Sequence, residues 1–196
     1  GASTGDSCDG ALARAQAVSL RMPYQSNPSL RKAINAGQIK YIDAHLGKMG
    51  YLVRTGAVPA PTVAIIEVSA ILSDGRVCLS TSGGNSVTYL EMAPKIILEL
   101  NTRLGDSFMG IHDTALPELP PHAKPLPIYS AGDRVGSEFV KIDPSKVIAV
   151  VETSRLDEVN PFVEPDAVSR NIGERILDFI CHEESKGRLP KGMAFQ

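Results

Sequence analysis

The apolar positions of this chain cluster in short runs, and the densest pattern lies between Thr62 and Asn101, TVAIIEVSAILSDGRVCLSTSGGNSVTYLEMAPKIILELN. It opens with Val63-Ala64-Ile65-Ile66, and Val68, Ala70 and Ile71 follow closely. A β-branched run of this kind, too short for a membrane span, predicts a strand buried on both faces. Asp74-Gly75 predicts a hairpin through a type I′ turn, which needs positive φ at both residues. Val77-Cys78-Leu79 is then the return strand. A small polar loop, Thr81-Ser82-Gly83-Gly84-Asn85-Ser86, leads into a short helix over Val87 to Met92 and a strand over Ile96 to Leu100. Strand, glycine loop, helix, strand is the layout of an α/β unit with a ligand loop at the carboxyl end of its strands.

The flanks alternate in the same way. Asp6, Ser7 or Asp9 is placed to cap a helix through Ala17, with Ala11, Leu12, Ala15 and Val18 on its buried side. Ser19 to Tyr24 reads as a short strand. Asn27-Pro28 predicts a helix start, with Leu30, Ala33 and Ile34 at helical spacing and Gly37 at C′. Ile39 to Ile42 alternates like a strand. Leu46 to Arg54 reads as a helix with Leu46, Met49, Leu52 and Val53 on one side and Gly56 as its stop. Pro117, Pro120, Pro121, Pro125 and Pro127 make 114–132 an extended wrapping loop. Gly136 to Ile142 and Val147 to Val151 read as strands, the second with a buried pattern. Pro161-Phe162-Val163-Glu164 reads as a linker. After Pro165-Asp166, Val168, Ile172, Ile176, Leu177 and Ile180 give the clearest helical face, and Lys186 and Gly187 close it. The expected architecture is α/β, a three-layer open and mainly parallel sheet with helices on both faces, in one domain over 1–196. Its sheet should contain Val63–Val68, Ile96–Leu100 and Val147–Val151, and the segment 161–196 is a linker and terminal helix.

Composition narrows the partners. At 196 residues and 43% hydrophobic, the chain can bury a core and is too apolar for disorder. A net charge of −2 argues against a nucleic-acid or anionic-membrane surface. No apolar run reaches the roughly 20 residues of a spanning helix, and GASTGDSCDG lacks the basic start and apolar core of a signal peptide. Cys8, Cys78 and Cys181 are widely spaced and outside any CxxC, which predicts reduced thiols in the cytoplasm, or in the mitochondrion of a eukaryote.

Candidate chemistry is sparse. Glu67 sits in a predicted buried strand, where a carboxylate is either a nucleophile or, more economically, a group paired with a turn or a base. Gly83, Gly84, Asn85 and Ser86 are the substrate-binding candidates: backbone N–H groups there can meet an anionic or thioester group. The alternative is a plain strand-to-helix turn with Asn85 or Ser86 as cap. His112-Asp113 is an acid–base pair or a loop anchor. Cys181 and His182 point apart on a helix and make no dyad. Arg134, Lys141, Lys146 and Arg155 are phosphate contacts or a solvated face. His45, His112, His122 and His182 show no metal-ligand spacing, so no metal is expected.

Several motifs carry a family resemblance. Gly1 to Gly5 with Asp9-Gly10-Ala11-Leu12 is similar to the GASTG…DG of the acetyl-CoA hydrolase/transferase family, the class I acetate- or succinate-using CoA-transferases. Pro23-Tyr24-Gln25-Ser26-Asn27 with Leu30-Arg31-Lys32-Ala33-Ile34-Asn35-Ala36-Gly37 resembles its PYQ(S/T)N…LRK.IN.G, and Asp43-His45-Leu46 its D.HL. Ile66-Glu67-Val68-Ser69-Ala70-Ile71 with Asp74-Gly75 resembles (V/I)EA.AI..DG, and Gly84-Asn85-Ser86 with Thr88 resembles VGNS.T. Gly110-Ile111-His112-Asp113 resembles G(I/M)HD, and Asp133-Arg134-Val135-Gly136 resembles DR(V/I)G. In order, these motifs cover essentially the whole chain. Gly83 stands where the family usually has Val, which predicts a more flexible loop.

The resemblance implies CoA exchange between an acyl-CoA and a small carboxylate such as acetate or succinate. A glutamate attacks the thioester and a glutamyl-CoA thioester follows. That glutamate belongs to the family's C-terminal half, after an SGVGN loop expected just beyond Gln196, so no catalytic residue is assigned within this chain. The chain thus resembles the latter part of the family's first domain, a fragment predicted to be inactive alone. No tightly bound cofactor is expected, coenzyme A being a substrate. The expected partners are an acyl-CoA, a carboxylate and the C-terminal half, with a homo-oligomer left open. The alternatives are a non-catalytic α/β binding module or an acyl-CoA hydrolase fragment.

Overall fold

A computed structural model describes residues 5–81, 83–158 and 162–189. Most of the GASTG loop, Ser82, Pro161 of the expected linker and the tail from Pro190 lie outside the described residues. The chain divides into two compact units, Gly1–Val159 and Asn160–Gln196.

The first unit is built on a five-stranded sheet. Its strands are β3 (Val63–Ile71), β4 (Arg76–Leu79), β5 (Lys95–Asn101), β6 (Val140–Lys141) and β7 (Val147–Thr153), in the spatial order β6-β4-β3-β5-β7. Adjacent β3, β5 and β7 are mutually parallel and contain the three apolar runs expected in one sheet. β4 is antiparallel to both β3 and β6, so the sheet is mixed and mostly parallel. A separate pair of short strands, β1 (Leu20–Arg21) and β2 (Lys40–Tyr41), also runs parallel.

Local rules account for the helices. Helix α1 (Ala11–Arg14) follows a π-helical turn over Asp6–Gly10. Helix α2 (Pro28–Asn35) starts where Asn27 accepts hydrogen bonds from the Ser29 and Leu30 amides. Helix α3 (Met49–Arg54) continues a 3₁₀ turn whose Gly47 amide donates to His45 Nδ1 at 3.1 Å. Helix α4 (Ser86–Met92) connects β4 to β5. Gly37 and Gly56 take positive φ just after α2 and α3, where a left-handed residue satisfies the last carbonyls.

One face of the sheet carries the main core. Ala64, Ile66, Val68, Val77, Leu79, Ile96 and Leu98 pack with Leu90 and Ala93 from α4 and its end. A second cluster, Met49, Val53 and Val58, joins α3 to α4 through Tyr89, which touches both clusters.

Four expectations are corrected here. The strand over Val63 is not buried on both faces: Ile66 is 7% exposed and its neighbour Ile65 67%. β7 is an edge strand with Ile148, Val150 and Val151 about half exposed, not a buried one. Apolar composition records a preference for burial, while coverage depends on which neighbour arrives. The Asp74-Gly75 turn is not type I′. Only Gly75 has positive φ, and its amide donates to Leu72 O at 3.1 Å, the pattern of a type I turn followed by a left-handed glycine. The N-terminal helix buries Asp9 and Gly10, whereas Ala11, Leu12 and Ala15 are exposed. Nor does Asp6, Ser7 or Asp9 cap it. Instead, buried Asp9 accepts two hydrogen bonds from buried Arg21, at 2.9 and 2.8 Å.

The second unit contains helix α5 (Ala167–Ser185), capped by Asp166, which accepts from the Ser169 amide at 2.7 Å. Gly187 closes it at positive φ, as expected. Val168, Ile172, Ile176 and Leu177 are exposed along its apolar face. Among the described residues, no helix is long and apolar enough to cross a membrane.

Candidate functional site

The glycine loop borders a cavity of about 580 Å³ in the first unit. Three segments form its walls: α3 with Gly50, Tyr51 and Arg54, the 83–88 loop, and the Pro-rich stretch from His112 to Pro120. The loop does not lie at the carboxyl edge of the parallel strands. Because β4 runs against β3, with Leu79 opposite Val68, it carries the chain back toward the amino-terminal ends of β3 and β5. The hairpin expected at Asp74-Gly75 already makes β4 antiparallel, so the loop sits at the carboxyl end of β4 itself and not at that of the parallel strands.

The four sequence candidates Gly83, Gly84, Asn85 and Ser86 are consecutive at the start of α4, and the first three line the cavity. Gly84 has φ +45, so glycine is required there for backbone geometry whatever else the loop does. Gly83 has ordinary φ, and a Cβ on it would meet Leu79 Cδ1 at 3.8 Å, a normal contact. A side chain is therefore tolerated at 83 without strain. Asn85 stands at the N-cap of α4 without a side-chain capping bond, and the Ser86 amide donates to Gly83 O at 2.9 Å, a turn at the start of the helix. Thr88 follows one helical turn after Asn85 and is only 4% exposed. Its hydroxyl has no hydrogen-bond partner among the described residues, and it borders the cavity. The GNS.T spacing placed Thr88 beside Asn85, but the burial that singles it out was not readable from sequence.

The opposite wall is fastened by polar contacts. The Asp113 carboxylate accepts from the Val135 amide at 3.0 Å and the Gly136 amide at 2.8 Å, which hold it below the usual carboxylate range. Thr114 and Ser137 exchange backbone hydrogen bonds at 2.8 and 2.9 Å. A Cβ on Gly136 would lie 1.9 Å from Thr114 O, so only glycine lets the two strands of this clasp meet. Arg134 donates to His112 O at 2.9 Å and Gly110 O at 2.5 Å. His112 Nε2 lies 3.1 Å from Leu79 O. His112 and Asp113 therefore anchor the loop and do not pair with each other. On α3, Arg54 donates to Pro117 O at 2.6 Å and pairs with Glu91 at 3.3 Å.

The remaining candidates disperse. Glu67 is half-buried and accepts from Asn101 Nδ2 at 2.8 Å, an amide partner in place of the expected turn or base. Lys146 donates to Glu91 O at 2.9 Å, so neither it nor Arg134 stands ready for a phosphate. Cys8, Cys78 and Cys181 are free thiols. Among the described residues no three His, Cys, Asp or Glu side chains gather in a metal-binding group. Sequence reading missed the Asp9–Arg21 pair, and it missed Gly50 and Arg54 as cavity residues.

Comparison with known proteins completes this picture. The chain is 37% identical over 193 residues to a succinyl-CoA:acetate CoA-transferase of Clostridium kluyveri, covering 98% of this chain and 36% of the relative. It is 38% identical over 190 residues to a propanoyl-CoA:succinate CoA transferase of Escherichia coli, covering 97% and 39%. An acetyl-CoA hydrolase of Schizosaccharomyces pombe is 36% identical over 199 residues, covering 98% and 38%. The chain thus spans less than two-fifths of the length of these relatives. Among solved structures, RipA from Yersinia pestis superposes with a TM-score of 0.51 at 18% identity, covering 81% of this chain and 32% of that one, a likeness of fold. The family model described as acetyl-CoA hydrolase/transferase N-terminal domain matches residues 1–152, and the chain belongs to that family.

Proposed function

We propose that this chain is part of a CoA-transferase that moves CoA between an acyl-CoA and a small carboxylate such as acetate or succinate. The observation that carries the reading is the cavity between the 83–88 loop and the His112–Pro120 wall, with unmatched polar groups at Asn85 and Thr88. In this reading Gly83, Gly84, Asn85 and Ser86 form a wall of the acyl site. The 83–84 backbone, free of Cβ atoms, admits close approach of a thioester. The nucleophilic glutamate and the glutamyl-CoA thioester it forms lie in a further part of a longer protein, in the cytoplasm or a mitochondrion. Coenzyme A is substrate, not resident cofactor.

The hydrolase reading keeps the same site and lets water take the place of the second carboxylate. The 36% identity to an acetyl-CoA hydrolase keeps it in view.

Because Gly84 is needed for its φ, the discriminating variant is Gly83→Val in a full-length protein. The expected result is an altered KM or kcat for the acyl substrate with an unchanged thermal melt. Unchanged kinetics would remove the loop from the site. This chain alone, incubated with acetyl-CoA and succinate, is expected to show no transfer by mass spectrometry. A glutamyl-CoA adduct on Glu67 would reverse its structural assignment.

A further inference from the structure

The cavity wall that runs from His112 to Pro120 is held unequally along its length. Its first residues are fastened repeatedly: His112 to Leu79 O and to Arg134, Asp113 to the Val135 and Gly136 amides, and Thr114 to Ser137 in an antiparallel bridge. The chain then runs from Ala115 to Gly132 without helix or strand, and comes back to the same bridge at Ser137. Among the described residues, one polar contact ties the body of this loop to the rest of the unit: Arg54 Nη1 donates to Pro117 O at 2.6 Å. Leu116 and Leu119 are half-buried and line the cavity, whereas Leu126, Ile128 and Tyr129 are exposed.

A long loop with its ends pinned together and its body lightly held has the form of a lid. Ala115 to Pro120 line the cavity, so lifting the loop opens that side to solvent. Arg54 is suited to hold such a loop down. It ends α3, its side chain is 15% exposed, and its Nε pairs with the Glu91 carboxylate at 3.3 Å. When the bond to Pro117 O breaks, Glu91 still balances the guanidinium, so opening leaves no unpaired buried charge behind. We propose that 115–132 is a lid over the cavity, hinged at the Thr114–Ser137 bridge and latched to α3 by Arg54. A lid governs access whatever ligand the cavity takes, so it goes beyond the acyl-site reading and does not depend on it.

The test is ¹⁵N relaxation of this chain, following the amides of Ala115, Leu116, Glu118 and Leu119. In the wild type these should be ordered on the fast timescale, with order parameters of about 0.85, and should show microsecond-to-millisecond exchange in relaxation dispersion. Thr114 and Ser137 should be ordered and show no such exchange. Arg54→Gln removes the latch and should lower the loop amides to below about 0.6 while Thr114 and Ser137 stay at about 0.85. If Arg54→Gln does not fold, Arg54→Lys decides, because it keeps a charge for Glu91 but lacks the fork that serves both partners. Wild-type order in the deciding variant overturns the latch and the proposal with it. Loop amides in the wild type that are rigid without dispersion, or already below about 0.6, overturn the lid. Loss of order at Thr114 and Ser137 together with the loop overturns the hinge.

Discussion

The two faces of the central sheet carry similar residues and meet different fates. On β3, Ala64, Ile66 and Val68 are buried, while Val63 and Ile65, the alternate positions, are 39% and 67% exposed. α4 covers the first set with Leu90 and Ala93, and α3 extends that layer through Tyr89. The candidate cavity lies on these covering helices, between α3 and the start of α4. The covered face thus serves as the rigid platform for the site. The open face shows that a β-branched run does not by itself decide which side is covered.

That contrast can be broken experimentally. The largest effect should come from the buried charges that join the Asp6–Gly10 turn to β1. Asp9→Ala leaves the Arg21 guanidinium buried without its carboxylate and should cost about 3–5 kcal/mol in urea unfolding. A loss below 1 kcal/mol would mean that the pair is solvated in solution. On the covered face, Leu98→Ala should cost about 2–5 kcal/mol, Leu98 being 1% exposed. The matching Ile65→Ala on the open face should stay near 0.5 kcal/mol. Equal losses would show that both faces are covered in solution. In the second unit, Ile176→Ala should likewise be nearly neutral, because Ile176 is 54% exposed.

The clasp that holds the cavity wall offers subtler tests. Gly136→Ala drives a Cβ into Thr114 O and should free the His112–Pro120 segment, seen as faster amide exchange at Thr114 and Ser137. The Asp113 pKa is lowered by the amides of Val135 and Gly136. Its contribution is therefore present above the ordinary aspartate pKa and lost as pH falls through the depressed folded value. Protection of those two amides relative to their intrinsic exchange rates should fall on that acid side, and Asp113→Asn should remove that change in protection. A flat profile in the wild type would mean that the carboxylate does not hold the clasp.

Elements governed by near neighbours are legible in the amino-acid sequence by itself. Asn27 and Asp166 cap helices because a short polar side chain reaches amides two or three residues on. Gly37, Gly56 and Gly187 end helices because glycine takes a left-handed conformation freely. The three apolar runs became adjacent parallel strands, and the family motifs agreed with the match over 1–152. The site was legible in part: Gly83, Gly84 and Asn85 do line a cavity.

What only the tertiary structure decided depends on partners distant in sequence. The hairpin made β4 antiparallel, but its register, Leu79 opposite Val68, and its place between β3 and β6 come from pairing, and these set the loop toward the amino-terminal ends of β3 and β5. Asp9 became half of a buried ion pair because Arg21 folds over it. Gly136 is glycine because Thr114 passes within contact of its α-carbon, and no local pattern announces that approach. Thr88 stands against Gly50 because α3 packs on α4, so closely that a Cβ on Gly50 would lie 2.9 Å from the Thr88 hydroxyl. Short-range sterics and hydrogen bonds set local conformation residue by residue, and burial and juxtaposition arise when those pieces meet.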